Sequence, residues 1–167
     1  MRRHTETIAT ASFLLLALLG AGRSRQPPKA SETAVVTRVI DGDTLELQDG
    51  RKVRLLGVDT PELHHPRKPV EAYAAEAKKF TSTAIAGQTV RLVFEKWKPV
   101  DKYGRLLAYV YREPDGLFLN RELVAAGYAH VEARWPFEHM EAFRKLEREA
   151  RELGRGLWDP KANETQR

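Results

Sequence analysis

The 167-residue chain carries 28 Lys and Arg against 23 Asp and Glu, a formal charge of +5, and no cysteine. That length supports one ordinary domain with a modest core, and 31% charged with 42% apolar residues excludes both a disordered polyampholyte and a multi-span membrane protein. Without cysteine there is no disulfide framework, thiolate nucleophile or zinc-thiolate site, so any metal must take O or N ligands. The N-terminus has an export layout: Arg2 and Arg3 precede an apolar stretch from Ile8 to Gly22, and Gly20-Ala21-Gly22 supplies small residues for cleavage. Residues 1–22 are therefore expected to be a signal peptide or an N-terminal membrane anchor attached through residues 8–22. Residues 23–33 read as a flexible linker, 34–160 as the folded domain and 161–167 as a disordered tail. The expected location is secreted, periplasmic or on the cell envelope.

From Ala34 to Leu47 apolar residues mostly alternate, interrupted by Asp41-Gly42-Asp43, and a second run, Val53 to Val58, follows the turn signal Asp49-Gly50. Together they predict an antiparallel meander. From Pro69 to Ala86 the period changes, with Val70, Tyr73, Ala77 and Phe80 on one side and Gly87 at a C-cap position, which predicts an amphipathic helix. Strands over Thr89 to Trp97 and Arg105 to Tyr111 follow, joined through Asp101-Lys102-Tyr103-Gly104. Asn120 is placed to cap a short helix ending at Gly127, and a last helix is predicted from Phe137 to Leu153 with Leu153 inward. About five strands with three helices fit an α+β domain built on a small barrel; periodicity alone leaves the closure open, an OB-like barrel being one solution.

The charge is unevenly spread: residues 1–30 hold +4 of it, 31–50 are at −4, 51–112 at +7 and the remainder at −2. A basic middle beside an acidic hairpin suggests an anion-binding face next to a cation pocket, although the same charges serve equally as solvated faces. The acids fall at strand ends and turns: Asp41, Asp43, Asp59 and, after the extended exit that Thr60-Pro61 imposes, Glu62. With no Cys and no helical His pair, such carboxylates suit a hard cation such as Ca²⁺, but Asp-Gly-Asp is also an ordinary turn. Arg54 enters an otherwise apolar strand and Arg105 follows the Asp-Lys-Tyr-Gly turn. Two guanidiniums beside a cation would neutralise a phosphate and its transition state, with Glu62 taking a proton from water; Arg54 as a structural partner of Asp43 or Asp59 is the alternative. His64, His65 and His130 read as exposed and unliganded. Trp97 and Trp158 read as packing residues, Trp135 as packing or as a stacking surface, and Tyr109 with Tyr111 as one structural sheet face.

Ile40-Asp41-Gly42-Asp43-Thr44, Arg54 to Glu62 and Asp101-Lys102-Tyr103-Gly104-Arg105 together resemble the staphylococcal nuclease (thermonuclease) family, over about Ala34 to Trp158. The resemblance implies a five-stranded OB-fold-like barrel with three packed helices and Ca²⁺-dependent hydrolysis of DNA and RNA, single-stranded or denatured strands favoured, to 3′-phosphate and 5′-hydroxyl ends by a monomer. It further implies that Asp43, Asp59 and the Thr60 carbonyl hold Ca²⁺, that Glu62 is the general base, and that Asp41 supports the metal ligands. Arg54 and Arg105 would bind phosphate, and Lys102 and Tyr103 would touch the nucleotide. The pattern departs after Val131, where Glu132-Ala133-Arg134-Trp135 stands in place of the family's stacking tyrosines. A non-catalytic nucleic-acid-binding barrel is the rival reading, and a Ca²⁺-dependent structural domain a third. The complete set Asp43, Asp59, Glu62, Arg54 and Arg105 favours catalysis, because a pure binding module has no use for acids that repel phosphate.

Overall fold

The computed structural model describes residues 31–63, 70–97 and 99–160. The expected signal or anchor, the tail and the His64-His65 pair lie outside the described residues. Five strands close a barrel in the order β1 (Ser31–Asp41), β2 (Thr44–Leu47), β3 (Lys52–Leu55), β6 (Leu106–Arg112) and β5 (Thr89–Val93). Every seam is antiparallel except β3 with β6, where Val53, Arg54 and Leu55 pair in parallel with Leu106, Leu107 and Ala108. A small separate ribbon joins β4 (Val58–Asp59) to β7 (His130–Val131). Three helices, α1 (Ala74–Ile85), α2 (Leu119–Ala125) and α3 (Met140–Glu152), complete the α+β fold, and a 3₁₀ turn at Gly156–Trp158 follows.

The meander forms as its alternation predicts. Val53 and Leu55 of β3 and Val90 and Leu92 of β5 are at most 1% exposed and face a core shared with Leu45, Leu47, Tyr109 and Phe143. Each such side chain contributes about 1.5–3 kcal/mol by leaving water. The boundaries differ from expectation where tertiary contacts override local pattern. β1 begins at Ser31, inside the expected linker, because Ser31, Glu32 and Thr33 pair with Val93, Leu92 and Arg91. β5 stops at Val93, and Trp97 lies in the following loop. The run Val53 to Val58 divides at Leu56-Gly57, where Gly57 has φ 78° and a Cβ would sit 2.6 Å from the Phe137 ring.

The helices are shorter than their apolar periods. Tyr73 takes a left-handed conformation, φ 65°, and starts α1 four residues after Pro69, leaving Val70 61% exposed. Ahead of it the chain is pinned as a loop neck: Glu71 N donates to the Glu62 carbonyl, and Glu62 N donates to Glu71 Oε2 at 3.1 Å. Asn120 is no cap. It sits inside α2, fully buried, where its amide accepts from Val110 N and donates to the Leu56 and Ala108 carbonyls, tying the helix to β6 and to the turn after β3. α3 ends at Glu152 and Leu153 is 64% exposed, because Gly154 turns the chain away before that residue reaches the core. Tyr109 and Tyr111 share a sheet face as expected, both packed on Phe118.

Candidate functional site

The acids gather at the turn of the β1–β2 hairpin. A register shift between Val39 and Asp41 makes the strand end irregular, so Asp41 and Asp43 flank a tight turn rather than alternating on a flat strand. Gly42 at its apex is wedged in place: a Cβ there would lie 2.8 Å from Thr60 Oγ1 and 2.9 Å from Ala77 Cβ. Its carbonyl accepts a 2.6 Å bond from Thr81 of α1, which is completely buried. The Asp43 carboxylate accepts from Thr44 Oγ1 and, at 2.9 Å, from Thr60 N, so the hairpin and the β4 exit are locked together.

Arg54, only 14% exposed, ties these acids to one point. Its Nη2 is 2.6 Å from Asp59 Oδ1 and 3.1 Å from Asp43 Oδ2, while Nη1 donates to the Leu55 and Val58 carbonyls. Two carboxylates within reach of a single nitrogen must lie close to each other. Burial pushes the Asp59 carboxyl above its ordinary value, the Asp43 and Glu132 charges push the same way, and Arg54 only partly offsets them. The alternative of a structural ion pair for Arg54 is therefore real, and it coexists with exposure to the cleft described next.

Across the β3–β6 seam a cleft of about 460 Å³ opens, lined by Arg54, Lys102, Tyr103 and Arg105 on its cationic side. Arg105 is held by Asp101, which accepts from Arg105 Nε at 2.7 Å and from the backbone N–H groups of Tyr103 and Arg105. Partial burial pulls the Asp101 carboxyl up, but these bonds outweigh it and leave it below its ordinary value. Lys102 Nζ and the Arg105 guanidinium stand over the exposed Tyr103 ring at 4.9 and 5.4 Å. Asp43, Asp59, Thr60 and Glu62 are not among the cleft-lining residues; Arg54 is the link between acids and cleft. Glu62 is exposed at the loop neck.

Asp43, Asp59 and Thr60 thus form one group with Arg54, and Lys102 and Tyr103 another with Arg105, while Glu62 is joined to Glu71 instead. The cleft is also lined by Glu132, clamped by Arg134 through Nε and Nη2, and by Trp135, on the segment that stands in place of the family's stacking tyrosines; sequence reasoning missed Trp97 and Phe137 as lining residues. Hydrogen bonds from Arg134 hold the Glu132 carboxyl below its ordinary value. Trp97, expected to pack, is 49% exposed and faces this cleft; its signal was the basic flank Lys96-Trp97-Lys98. Trp158 does pack, under the Arg151 guanidinium and edge-on to His130. Asp101 was legible from its four-residue spacing to Arg105. Thr81 carried no local signal, being 39 residues from its partner.

The oxygens near the hairpin suit a hard cation. Asp41 Oδ1 and Thr60 Oγ1 are buried without a hydrogen-bond partner, an arrangement that a cation or its bound water would satisfy. Among the described residues no three His, Cys, Asp or Glu side chains gather as a metal cage. Beyond Asp43 and Asp59, further ligands would therefore come from carbonyls and water, which Ca²⁺ accepts readily.

A family model described as staphylococcal nuclease homologue matches residues 52–160. The chain is 37% identical over 131 residues to a thermonuclease of Staphylococcus hyicus, covering 76% of each chain. It is 39% identical over 132 residues to a thermonuclease of Staphylococcus intermedius, covering 77% of each, and 36% identical over 126 residues to an uncharacterised endonuclease of Escherichia coli, covering 74% of each.

Proposed function

From the premise that the chain belongs to the staphylococcal nuclease family, we propose that it is a Ca²⁺-dependent nuclease that hydrolyses DNA and RNA to 3′-phosphate and 5′-hydroxyl ends. The observation that carries this reading is the convergence of Asp43 and Asp59 on one nitrogen of Arg54, an arginine that also lines a cleft with Arg105. Asp43, Asp59 and the Thr60 carbonyl would hold Ca²⁺, which when bound supplies positive charge to the scissile phosphate. Lys102 and Tyr103 bind and orient the nucleotide. Water adds to phosphorus, Glu62 accepts its proton, and the bond from phosphorus to O5′ breaks, O5′ taking a proton from solvent to leave as the 5′-hydroxyl while the 3′ oxygen keeps the phosphate. Arg105 offers Nη1 and Nη2, which the Asp101 contact does not use, to the charge that grows on the phosphoryl and leaving oxygens.

Residues 1–22 belong to the proposal as an export signal or anchor, placing the domain outside the cytoplasm as a monomer. The test is digestion of heat-denatured DNA and of RNA with added Ca²⁺ or a chelator, followed by end-group analysis. Ca²⁺-dependent cleavage leaving 3′-phosphates is expected. Binding without cleavage in any divalent cation would instead identify a binding module. Asp59→Ala should move the Ca²⁺ requirement to at least about tenfold higher concentration; an unchanged curve removes Asp59 from the ligands.

A further inference from the structure

Five large hydrophobic side chains are exposed among the described residues: Val70, Trp97, Tyr103, Trp135 and Leu153. Scattered exposed apolar residues need no explanation, but here the three aromatic ones all line the same cleft. The cleft pairs that aromatic surface with Arg54, Lys102 and Arg105, and the partly exposed Leu107 adds apolar lining that a phosphate alone does not require. Its volume of about 460 Å³ lies in the range of sites that enclose a small ligand. Trp97 stands on the loop after β5, with about half of its surface left in water.

We propose that Trp97 is a substrate-binding residue, a stacking platform for one unstacked nucleobase of a single strand whose phosphates lie against Arg105 and Lys102. Aromatic faces accept any base and cations accept any phosphate, so the pair selects for strand flexibility rather than sequence. In a duplex the same base is stacked on its neighbours and its face is closed to an indole. The inference rests on the nucleic-acid reading of the site but assigns Trp97 a role that the reaction itself does not need.

The test uses the full chain and its Trp97→Ala and Trp97→Phe variants with a twelve-nucleotide single strand and the matching duplex. Trp97→Ala should raise KM for the single strand roughly 5- to 100-fold, with kcat within about twofold and duplex cleavage changed far less. Trp97→Phe should restore most of the loss, because a flat ring suffices. An unchanged single-strand KM overturns the proposal, and so does an equal loss in both variants and on both substrates. Titration of tryptophan fluorescence with the single strand in a chelator separates the two readings. Binding in the chelator that weakens in Trp97→Ala, with no cleavage by the wild type once Ca²⁺ is added, keeps the platform and rejects the nuclease, whereas Ca²⁺-dependent cleavage indifferent to Trp97 does the reverse. If the wild type neither binds nor cleaves, both fall.

Discussion

Arg54 and Arg105 lie on one cleft and are held in opposite ways. Arg54 is nearly buried, with both terminal nitrogens engaged by two carboxylates and two backbone carbonyls, so its guanidinium closes the turn between β3 and β4 as well as lining the cleft. Arg105 is anchored to Asp101 through Nε, twice as exposed, on a loop at the start of β6. An arginine enclosed by acids is set before substrate arrives and keeps those acids together. One gripped by a single carboxylate is aimed but retains donors for charge that appears only during reaction.

The sharpest way to break this contrast is Arg105→Ala. Turnover should fall by about three powers of ten or more, while the melting temperature and Ca²⁺ binding stay close to wild type. A mild loss would reduce Arg105 to a binding group. Arg54→Ala should fail differently, because it leaves Asp43 and Asp59 facing each other uncompensated: stability should drop by about 2–4 kcal/mol along with activity. Added Ca²⁺ should return part of that stability in a thermal melt, and an unaltered melt would show that the acids do not depend on Arg54.

Thr81→Val sharpens the comparison from behind the acids by removing the bond that fixes the Gly42 carbonyl. A loss of about 1–3 kcal/mol is expected, with a several-fold weaker metal titration measured without nucleic acid and recovery in Thr81→Ser. If metal affinity holds while stability falls, Thr81 serves the fold alone. The smallest effect belongs to Asp101. Its folded carboxyl titrates below its ordinary 3.8, so its contribution to stability is present above that pH and is lost as pH falls through the folded value. The wild-type melting temperature should therefore decline more steeply below pH 4 than that of Asp101→Asn; parallel curves would mean that the Asp101 charge adds nothing to folding.

Much of this was legible in the sequence because strand alternation and turn residues act locally. The meander, the barrel class and both arginines follow from residues within a few positions of each other. What stayed hidden acts at a distance. Asn120 has the composition of a cap but serves as a buried bracket between α2, β6 and the turn after β3, and nothing adjacent to it signals partners at Leu56 and Val110. The start of α1 was misplaced because Tyr73 adopts a conformation its type disfavours. Trp97 was read as a packing residue because nothing near it signals that the loop after β5 meets the segment before α3 and shares a cleft with Trp135.

The parallel seam between β3 and β6, like the β1–β5 seam, is closed over a long stretch of chain. It joins residues more than fifty positions apart in the chain, whereas the β1–β2–β3 meander closes through short turns. Long loops close late and at greater entropic expense. Arg54 lies on one side of that seam and the loop of Arg105 leads into the other, so the two guanidiniums share a cleft only where this long-range pairing is in place. The acid cluster around Arg54 is built within the local β1 to β4 segment, whereas its union with Arg105 depends on a distant strand.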